Sequence, residues 1–138
     1  MTQPTGVDRA IAAAERVLPG HEMKYGDCPR WKSIIAVGDY IPSDPIPVCD
    51  FAMKWARRRG RDLQAALHCC LIEHLLEYHF DLVFPRMRKA ARENARIAEG
   101  FIDLWQSPFQ FGQATDPKNV ARLRRLTNEL KRIHGRAS

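Results

Sequence analysis

The stretch from Asp62 to Phe84, DLQAALHCCLIEHLLEYHFDLVF, constrains the fold of this chain more than any other part of it. On a helical wheel this stretch is apolar on two sides instead of one. One wide arc contains Leu63, Leu67, Cys70, Leu71, His74, Leu75, Tyr78 and Leu82, and the opposite side contains Cys69, Ile72, Leu76, Phe80 and Val83. A helix that is apolar on two sides must be covered on two sides. We therefore expect residues 62–84 to form a central helix packed between its neighbours.

Pro85 predicts where this central helix ends. A proline has no amide hydrogen, and it disfavours a helical conformation at the residue before it, here Phe84. The residues from Arg86 to Trp105 carry one apolar line among mostly charged side chains, which predicts a separate long helix. We therefore expect the chain to break between these two helices at the proline.

Four further helices are predicted from apolar periodicity, and they span Val7–Leu18, Trp31–Ile41, about Pro45–Arg59, and Pro117 to about His134. Two of them share a start signal, because Asp44 and Asp116 are N-cap candidates that each precede a proline at the first helical position. Six helices joined by short connections indicate an all-α fold of antiparallel hairpins. At 138 residues the chain is the size of a single domain, residues 1–138.

The connection before the last helix, residues 106–116, contains two phenylalanines. We expect Phe109 and Phe111 to fold back and close the end of the core. The alternative is that both stay exposed as an interaction tip.

The positive charge of the chain is concentrated in its C-terminal third. The net charge is +6 and the isoelectric point is about 9.5. Residues 1–84 contain 10 basic and 11 acidic side chains, whereas residues 85–138 contain 12 basic and 5 acidic ones. Such an asymmetry indicates an acidic partner or a nucleic acid, although solvated helices also show it.

No targeting or membrane signal is evident in the sequence. The N-terminus lacks the basic and apolar regions of a signal peptide. Glu73 and Glu77 interrupt the most apolar stretch, so no uncharged segment of 18 residues exists. These features predict a cytoplasmic protein without a membrane partner. They do not determine its oligomeric state.

A family resemblance is carried by residues 31–105. The helix start at Asp44-Pro45 and the pattern Asp62, Leu63, Ala66, Leu71 and Leu75 resemble the second helix of a HEAT-type repeat, and EHLLEYHF at residues 73–80 resembles a segment of small bacterial helical proteins. The resemblance implies a HEAT-like stack that serves as a binding scaffold, with the first and last helices as caps. It supplies no catalytic residue.

An acidic ridge is predicted on the central helix, where Glu73, Glu77 and Asp81 follow one another at intervals of four residues. Like charges at this spacing repel each other unless something neutralises them. One interpretation is pairing within the chain, by Arg86, Arg88, Arg92 or the basic last helix. A ridge that faces a partner and a metal site are the alternatives.

The histidines and cysteines do not form a recognised site. His74 lies in the apolar arc, which is typical of a core histidine, whereas His68 and His79 are too far apart along the helix to share an ion. The segment HLLEYH lacks the HExxH spacing of metalloproteases, and the four cysteines lack a zinc-binding spacing. We therefore predict no catalytic, cofactor-binding or metal-binding residues, although another helix could complete a site with His68, His74 or His79.

These observations favour a helical scaffold that binds another protein, of the adaptor or immunity type, and that has no catalytic activity. The predicted partner-binding residues are Glu73, Glu77, Asp81, Arg122, Arg125 and Arg132. Nucleic-acid binding by the basic C-terminal third is the first alternative, although the basic side chains there appear all around the helical wheel rather than on one stripe. A metal-dependent enzyme is the second alternative.

Overall fold

The computed structural model describes residues 5–20, 28–104 and 111–135, and every regular element within these ranges is helical. In chain order the helices are α1 (Gly6–Val17), α2 (Pro29–Gly38), α3 (Pro45–Trp55), α4 (Arg61–Leu67), α5 (Glu73–Glu93), α6 (Ala95–Leu104) and α7 (Pro117–Ile133). A π-helical segment, His68–Ile72, joins α4 to α5 without a break, and a 3-10 turn, Gly112–Thr115, precedes α7. Because α4, the π-helical segment and α5 form one continuous rod, the described chain has six helical rods. The all-α prediction is confirmed.

The rod from α4 to α5 lies in the interior, as the sequence predicts. Its buried apolar side chains are Leu63, Ala66, Leu67, Leu71, Ile72, Leu75, Leu76, Phe80, Val83, Phe84, Met87, Ala90 and Ala91. Helix α2 packs against the first half of the rod, α3 packs along much of it, and α6 and α7 contact the second half. Full burial of each large side chain among them stabilises the fold by roughly 1.5–3 kcal/mol. The rod is the centre of the single apolar cluster, to which all seven helices contribute side chains.

Helices α3 and α7 begin at the predicted prolines, but only one of the two aspartates caps its helix. The Asp116 carboxylate accepts the backbone N–H of Lys118 at 2.9 Å. Asp44 occupies the equivalent position before α3, yet its carboxylate accepts the Ser43 hydroxyl at 2.7 Å and makes no hydrogen bond to the helix. The prediction of a side-chain cap is therefore correct at Asp116 and wrong at Asp44.

The predicted break at Pro85 is wrong, because α5 continues through this proline to Glu93. The chain turns instead at Asn94, whose backbone is extended (φ −139°, ψ 118°). The Asn94 side-chain oxygen accepts the N–H groups of Arg96 and Ile97, each at 3.1 Å, and so caps the start of α6. Such a cap stabilises a helix by about 1 kcal/mol.

The rod is irregular at two places, and both change which side chains are buried. The π-helical segment takes one extra residue per hydrogen-bonded turn, and His79 has non-helical dihedrals (φ −139°, ψ 41°) that kink α5. Both irregularities rotate the residues around and after them away from the positions that a regular helical wheel assigns. Consequently Tyr78 and Leu82, which the wheel placed in the buried arc, are exposed.

The turn before α7 is anchored at the kink. The Gln113 side-chain oxygen accepts the N–H of Phe80 at 2.8 Å, and its amide nitrogen donates to the Tyr78 carbonyl at 3.0 Å. The neighbouring Gly112 lies so close that a Cβ there would be 2.4 Å from the Glu77 carbonyl oxygen. The kink in α5 therefore positions the start of α7.

Helices α5 and α7 lie parallel to each other. Contacts between them advance together along both chains, from Asp81 with Arg122, through Arg88 with Glu129, to Ala91 with His134. Helix α6 connects them along the chain and runs antiparallel to both. Sequence neighbours therefore form hairpins, and α5 and α7 also lie next to each other. This parallel pair frames the site described below.

Two further predictions concern the phenylalanines before α7 and helices that could span a membrane. Phe111 is 65% exposed, so the expectation that it closes the core is wrong, and Phe109 lies outside the described residues. None of the helices in the described ranges combines the length and apolarity needed to cross a bilayer.

Candidate macromolecule-binding face

A groove of about 590 Å³ runs between α5 and α7. Its lining residues are Phe84 and Arg88 from α5, and Arg122, Arg125, Leu126, Asn128, Glu129 and Arg132 from α7. The α7 residues at positions 122, 125, 129 and 132 are spaced by three or four, so they share one face of the helix. Three predicted partner-binding arginines thus meet in one groove, together with Arg88, which was not predicted.

Two carboxylates bridge the helices that form this groove. Glu129 accepts Arg88 at 3.1 Å and lies 3.5 Å from the Nε of Arg92. Asp81 accepts Arg122 at 2.7 Å. Surface ion pairs of this kind contribute only about 0–1 kcal/mol each to the stability of the fold. Their main effect is on the arginine side chains, which they orient between α5 and α7.

Arg122 is the most constrained of these arginines. Its guanidinium lies over the rings of Phe80 and Phe84, with centroid distances of 5.1 and 4.8 Å. It also donates to the Asn119 side-chain oxygen at 3.2 Å. Stacking and ion pairing together orient Arg122, which makes it part of the wall of the groove.

A second groove, of about 440 Å³, lies between α3 and α5. Its lining residues are Asp50, Met53, Lys54, Arg57, Arg86, Lys89, Ala90 and Glu93. An ion pair again connects the two helices, since Arg86 donates to Asp50 at 2.8 Å. Lys54 pairs with Glu15 of α1.

A third groove, of about 480 Å³, joins the first two across the C-terminal half of α5. It is lined by Pro85, Arg88, Lys89, Arg92, Glu93 and Ile133. Arg88 also lines the first groove, and Lys89 and Glu93 also line the second. The three grooves therefore form one continuous surface across α3, α5 and α7, which we name the basic face.

The basic face is strongly positive. Its cations are Lys54, Arg57, Arg86, Arg88, Lys89, Arg92, Arg122, Arg125 and Arg132, and its carboxylates are Asp50, Glu93 and Glu129. Asp81 and Glu15 lie outside the grooves but pair with two of these cations, Arg122 and Lys54, so nine cations and five carboxylates leave a net charge of +4. Within the described ranges, no carboxylate pairs with Arg57, Lys89, Arg125 or Arg132. These four cations remain available to a ligand.

The acidic ridge is not one open surface. Glu77 is only 3% exposed, and its carboxylate lies 3.0 Å from the Nδ1 of His74. Burial raises the pKa of Glu77, while the nearby His74 opposes that rise. Glu73 is half-buried, and Asp81 is exposed but paired with Arg122 of the last helix. Of the three, Glu77 is thus inaccessible to a partner, so its prediction as a partner-binding residue is not supported by its position.

Pairing of the ridge within the chain occurs only in part. The last helix supplies Arg122 to Asp81, as one interpretation proposed. Arg86, Arg88 and Arg92 do not take part, because they pair with Asp50 and Glu129 instead.

The histidines occupy three different environments. His68 is buried, with its ring edge-on to Phe101 at 6.0 Å, and desolvation lowers its pKa from 6.5 to about 4. His74 is half-exposed and stacks on Tyr78, so the prediction of a core histidine is wrong. His79 lies at the kink. In the part of the chain that the structure describes, no three His, Cys, Asp or Glu side chains are grouped to hold a metal ion.

Sequence reasoning missed most of the basic face. Cations at positions 86, 88, 89 and 92 were assigned to a helix separate from the central one, because Pro85 indicated a break. The signal that could have revealed the face is the density of cations from 86 to 92 together with Lys54 and Arg57 on a helix predicted to pack nearby. The register between α5 and α7 was not evident from the sequence.

Comparisons with known proteins do not add a family or a function. No protein-family model matches this chain, and no curated protein or solved structure is significantly similar to it.

Proposed function

We propose that this protein binds an acidic macromolecule on the basic face. The observation that carries the proposal is the continuity of this face, where three adjoining grooves, with the carboxylates paired to their cations, hold a net charge of +4 and four unpaired cations. Such a concentration of one sign raises the local concentration of oppositely charged ligands and speeds their association. An acidic protein segment and a nucleic acid both meet this description.

The framework around the unpaired cations supports the proposal. The apolar core holds α3 and α7 against α5, and ion pairs span both contacts, Asp50 with Arg86 and Arg88 with Glu129. Cations that project from a surface already held in place lose less freedom on binding than those on a mobile segment. The basic face is therefore suited to binding without a large rearrangement.

The alternative docking surface, the acidic ridge, is less suited to this role. Glu77 is buried, and Asp81 would have to exchange Arg122 for a partner's cation. Glu73 is the remaining member, and it is only half-exposed. We therefore assign docking to the basic face, which contains Arg122, Arg125 and Arg132 of the predicted set.

Charge reversal tests this proposal. The Arg125→Glu/Arg132→Glu variant removes two unpaired cations from the basic face. The matched control is Lys118→Glu/Arg124→Glu, which makes the same change in net charge at exposed α7 positions outside the three grooves. Binding to immobilised heparin and to poly-L-glutamate is measured as the salt concentration at elution, after circular dichroism has shown that each variant is helical.

We expect the face variant to elute at a distinctly lower salt concentration than the control. Equal losses in both variants would mean that only the total charge matters, and no retention of the natural protein would mean that the face binds no polyanion. Either result would overturn the proposal.

A further inference from the structure

We infer that the acidic macromolecule is a nucleic acid, whose phosphodiester backbone lies across the basic face. This inference rests on the proposed function and specifies its ligand. Phosphate contacts from Arg and Lys side chains position a protein on nucleic acid without reading its sequence. The distribution of apolar and charged groups on the face favours this class of ligand over an acidic protein.

The apolar groups of the basic face are already covered. Phe84 and Leu126 in the first groove are 7% and 3% exposed, and Met53 and Ala90 in the second are also buried. Ile133 and Pro85, both in the third groove, are the exposed apolar residues of the face. Protein interfaces depend on a central apolar patch with a few well-buried anchors. The face offers little such area to a protein partner.

The cations, by contrast, are distributed as an extended backbone requires. Arg57 and Lys89 line the groove on one side of α5, and Arg125 and Arg132 line the groove on the other side. Packed helices are spaced by 8–10 Å, so α3 and α7, which both pack on α5, are separated by at most about 20 Å. At about 3.4 Å per nucleotide of duplex, that distance spans roughly six base pairs. One backbone can therefore pass all four unpaired cations.

Arginine is also the side chain best matched to a phosphate. Its planar guanidinium donates two parallel hydrogen bonds to phosphate oxygens. The paired arginines Arg88 and Arg92 border the same path, and their shared carboxylate, Glu129, is tucked between them. Four direct contacts from unpaired cations predict a slope near −3.6 for log K against log salt concentration with duplex DNA. Affinity then falls roughly 100-fold between about 50 and 200 mM salt.

The experiment uses the full chain and four probes. Fluorescence anisotropy follows labelled 16-base-pair DNA duplexes of two unrelated sequences and a labelled 16-nucleotide RNA strand. After the DNA and the RNA, the third probe is labelled poly-L-glutamate. The fourth is vesicles of equal parts phosphatidylglycerol and phosphatidylcholine, whose binding is followed by co-sedimentation. Each titration is repeated over a range of salt concentrations with the natural protein, with Arg125→Ala/Arg132→Ala and with the control Lys118→Ala/Arg124→Ala.

We expect both duplexes to bind with similar affinity and with a slope near −3.6, because backbone contacts do not depend on sequence. The face variant should reduce the magnitude of the slope by about 2, one unit for each lost phosphate contact, and the control should preserve it. A slope that is equally reduced in the control would overturn the inference.

The other probes separate the inference from the function beneath it. If poly-L-glutamate or the anionic vesicles bind and neither nucleic acid does at about 50 mM salt, the nucleic-acid inference is overturned while binding of an anionic partner stands. If none of the probes binds, the inference and the proposed function are overturned together.

Discussion

The side-chain amide of Gln113 replaces the backbone hydrogen bonding that α5 loses at its kink, accepting the N–H of Phe80 at 2.8 Å. The same amide donates to the carbonyl of Tyr78 at 3.0 Å. His79, between these two residues, is where the helical dihedrals fail. Gln113 thus bridges the backbone groups on the two sides of His79, and it connects the start of α7 to the middle of α5.

The first prediction concerns this contact. Replacing Gln113 by Ala leaves the partly buried N–H of Phe80 without its acceptor, and such a loss costs about 1–3 kcal/mol. We therefore expect the Gln113→Ala variant to have a lower free energy of unfolding in urea, and faster amide hydrogen exchange at Phe80. Asn128→Ala is the control, since Asn128 is exposed on α7 and its side chain makes no hydrogen bond within the described structure; its change should stay within about 0.5 kcal/mol. Equal unfolding midpoints for both variants would contradict the role of Gln113.

The second prediction separates backbone conformation from steric contact at two glycines. Gly112 (φ +65°) and Gly135 (φ +69°) share a left-handed conformation, but of the two only Gly112 closely approaches other atoms in the described part of the chain, since a Cβ there would collide with the Glu77 carbonyl oxygen. The conformation alone costs an L-residue about 1–2 kcal/mol. We expect Gly135→Ala to lose no more than that, and Gly112→Ala to lose more than about 2 kcal/mol, because the Glu77 backbone cannot move aside. Equal losses in urea unfolding would show that the turn does not press on α5.

Local signals predicted the regular helices well. The Asp116-Pro117 start and the apolar repeat predicted the last helix at Pro117 to about His134, and it spans Pro117–Ile133. The central helix was also correctly placed in the interior, because two apolar sides require two covering layers. The HEAT-like arrangement of these helices remains a prediction.

Non-local contacts explain what the sequence did not reveal. A proline is unfavourable within an isolated helix, yet α5 continues through Pro85. The kink at His79 precedes this proline, and Gln113, 34 residues after His79 in the chain, stabilises the kink. The wheel assumes a constant 3.6-residue period, so neither the π-helical segment nor the burial of Glu77 could be anticipated. Arg122, Arg125 and Arg132 were identified as binding residues, but their grouping in one groove depends on the register between α5 and α7.

The third prediction concerns Pro85 itself. Proline in a helix interior is about 3 kcal/mol less favourable than alanine, and part of that cost is offset because proline also restricts the unfolded chain. Pro85 is exposed, so its removal forfeits little packing. We expect Pro85→Ala to increase the free energy of unfolding by about 2 kcal/mol. Pro117→Ala is the control, because at the first helical position a missing N–H has no cost; it should not stabilise. A destabilised Pro85→Ala variant would show that the kink depends on the proline.

The fourth prediction concerns the dependence of stability on pH. Burial lowers the pKa of His68 from 6.5 to about 4 in the folded protein. Between these values the unfolded chain binds a proton at His68 and the folded protein does not, so stability falls as the pH falls from 6.5 to 4. At 1.36 kcal/mol per pKa unit, the loss approaches about 3 kcal/mol. Glu77 acts in the opposite sense, because its raised pKa favours the folded state as the pH falls towards its ordinary range.

A His68→Phe variant isolates the histidine, since phenylalanine keeps an aromatic ring against Phe101 and has no titrating group. Both proteins retain Glu77, so its contribution cancels when their pH profiles are subtracted. We expect urea unfolding of the natural protein to weaken by about 3 kcal/mol more than that of the variant between pH 7 and pH 4, whatever their difference at neutral pH. The imidazole of His68 should titrate in NMR with a pKa of about 4. Parallel pH profiles, or an imidazole that titrates near 6.5, would show that His68 exchanges its proton with water in the folded protein, and that the packing of the π-helical segment against α6 leaves it solvated.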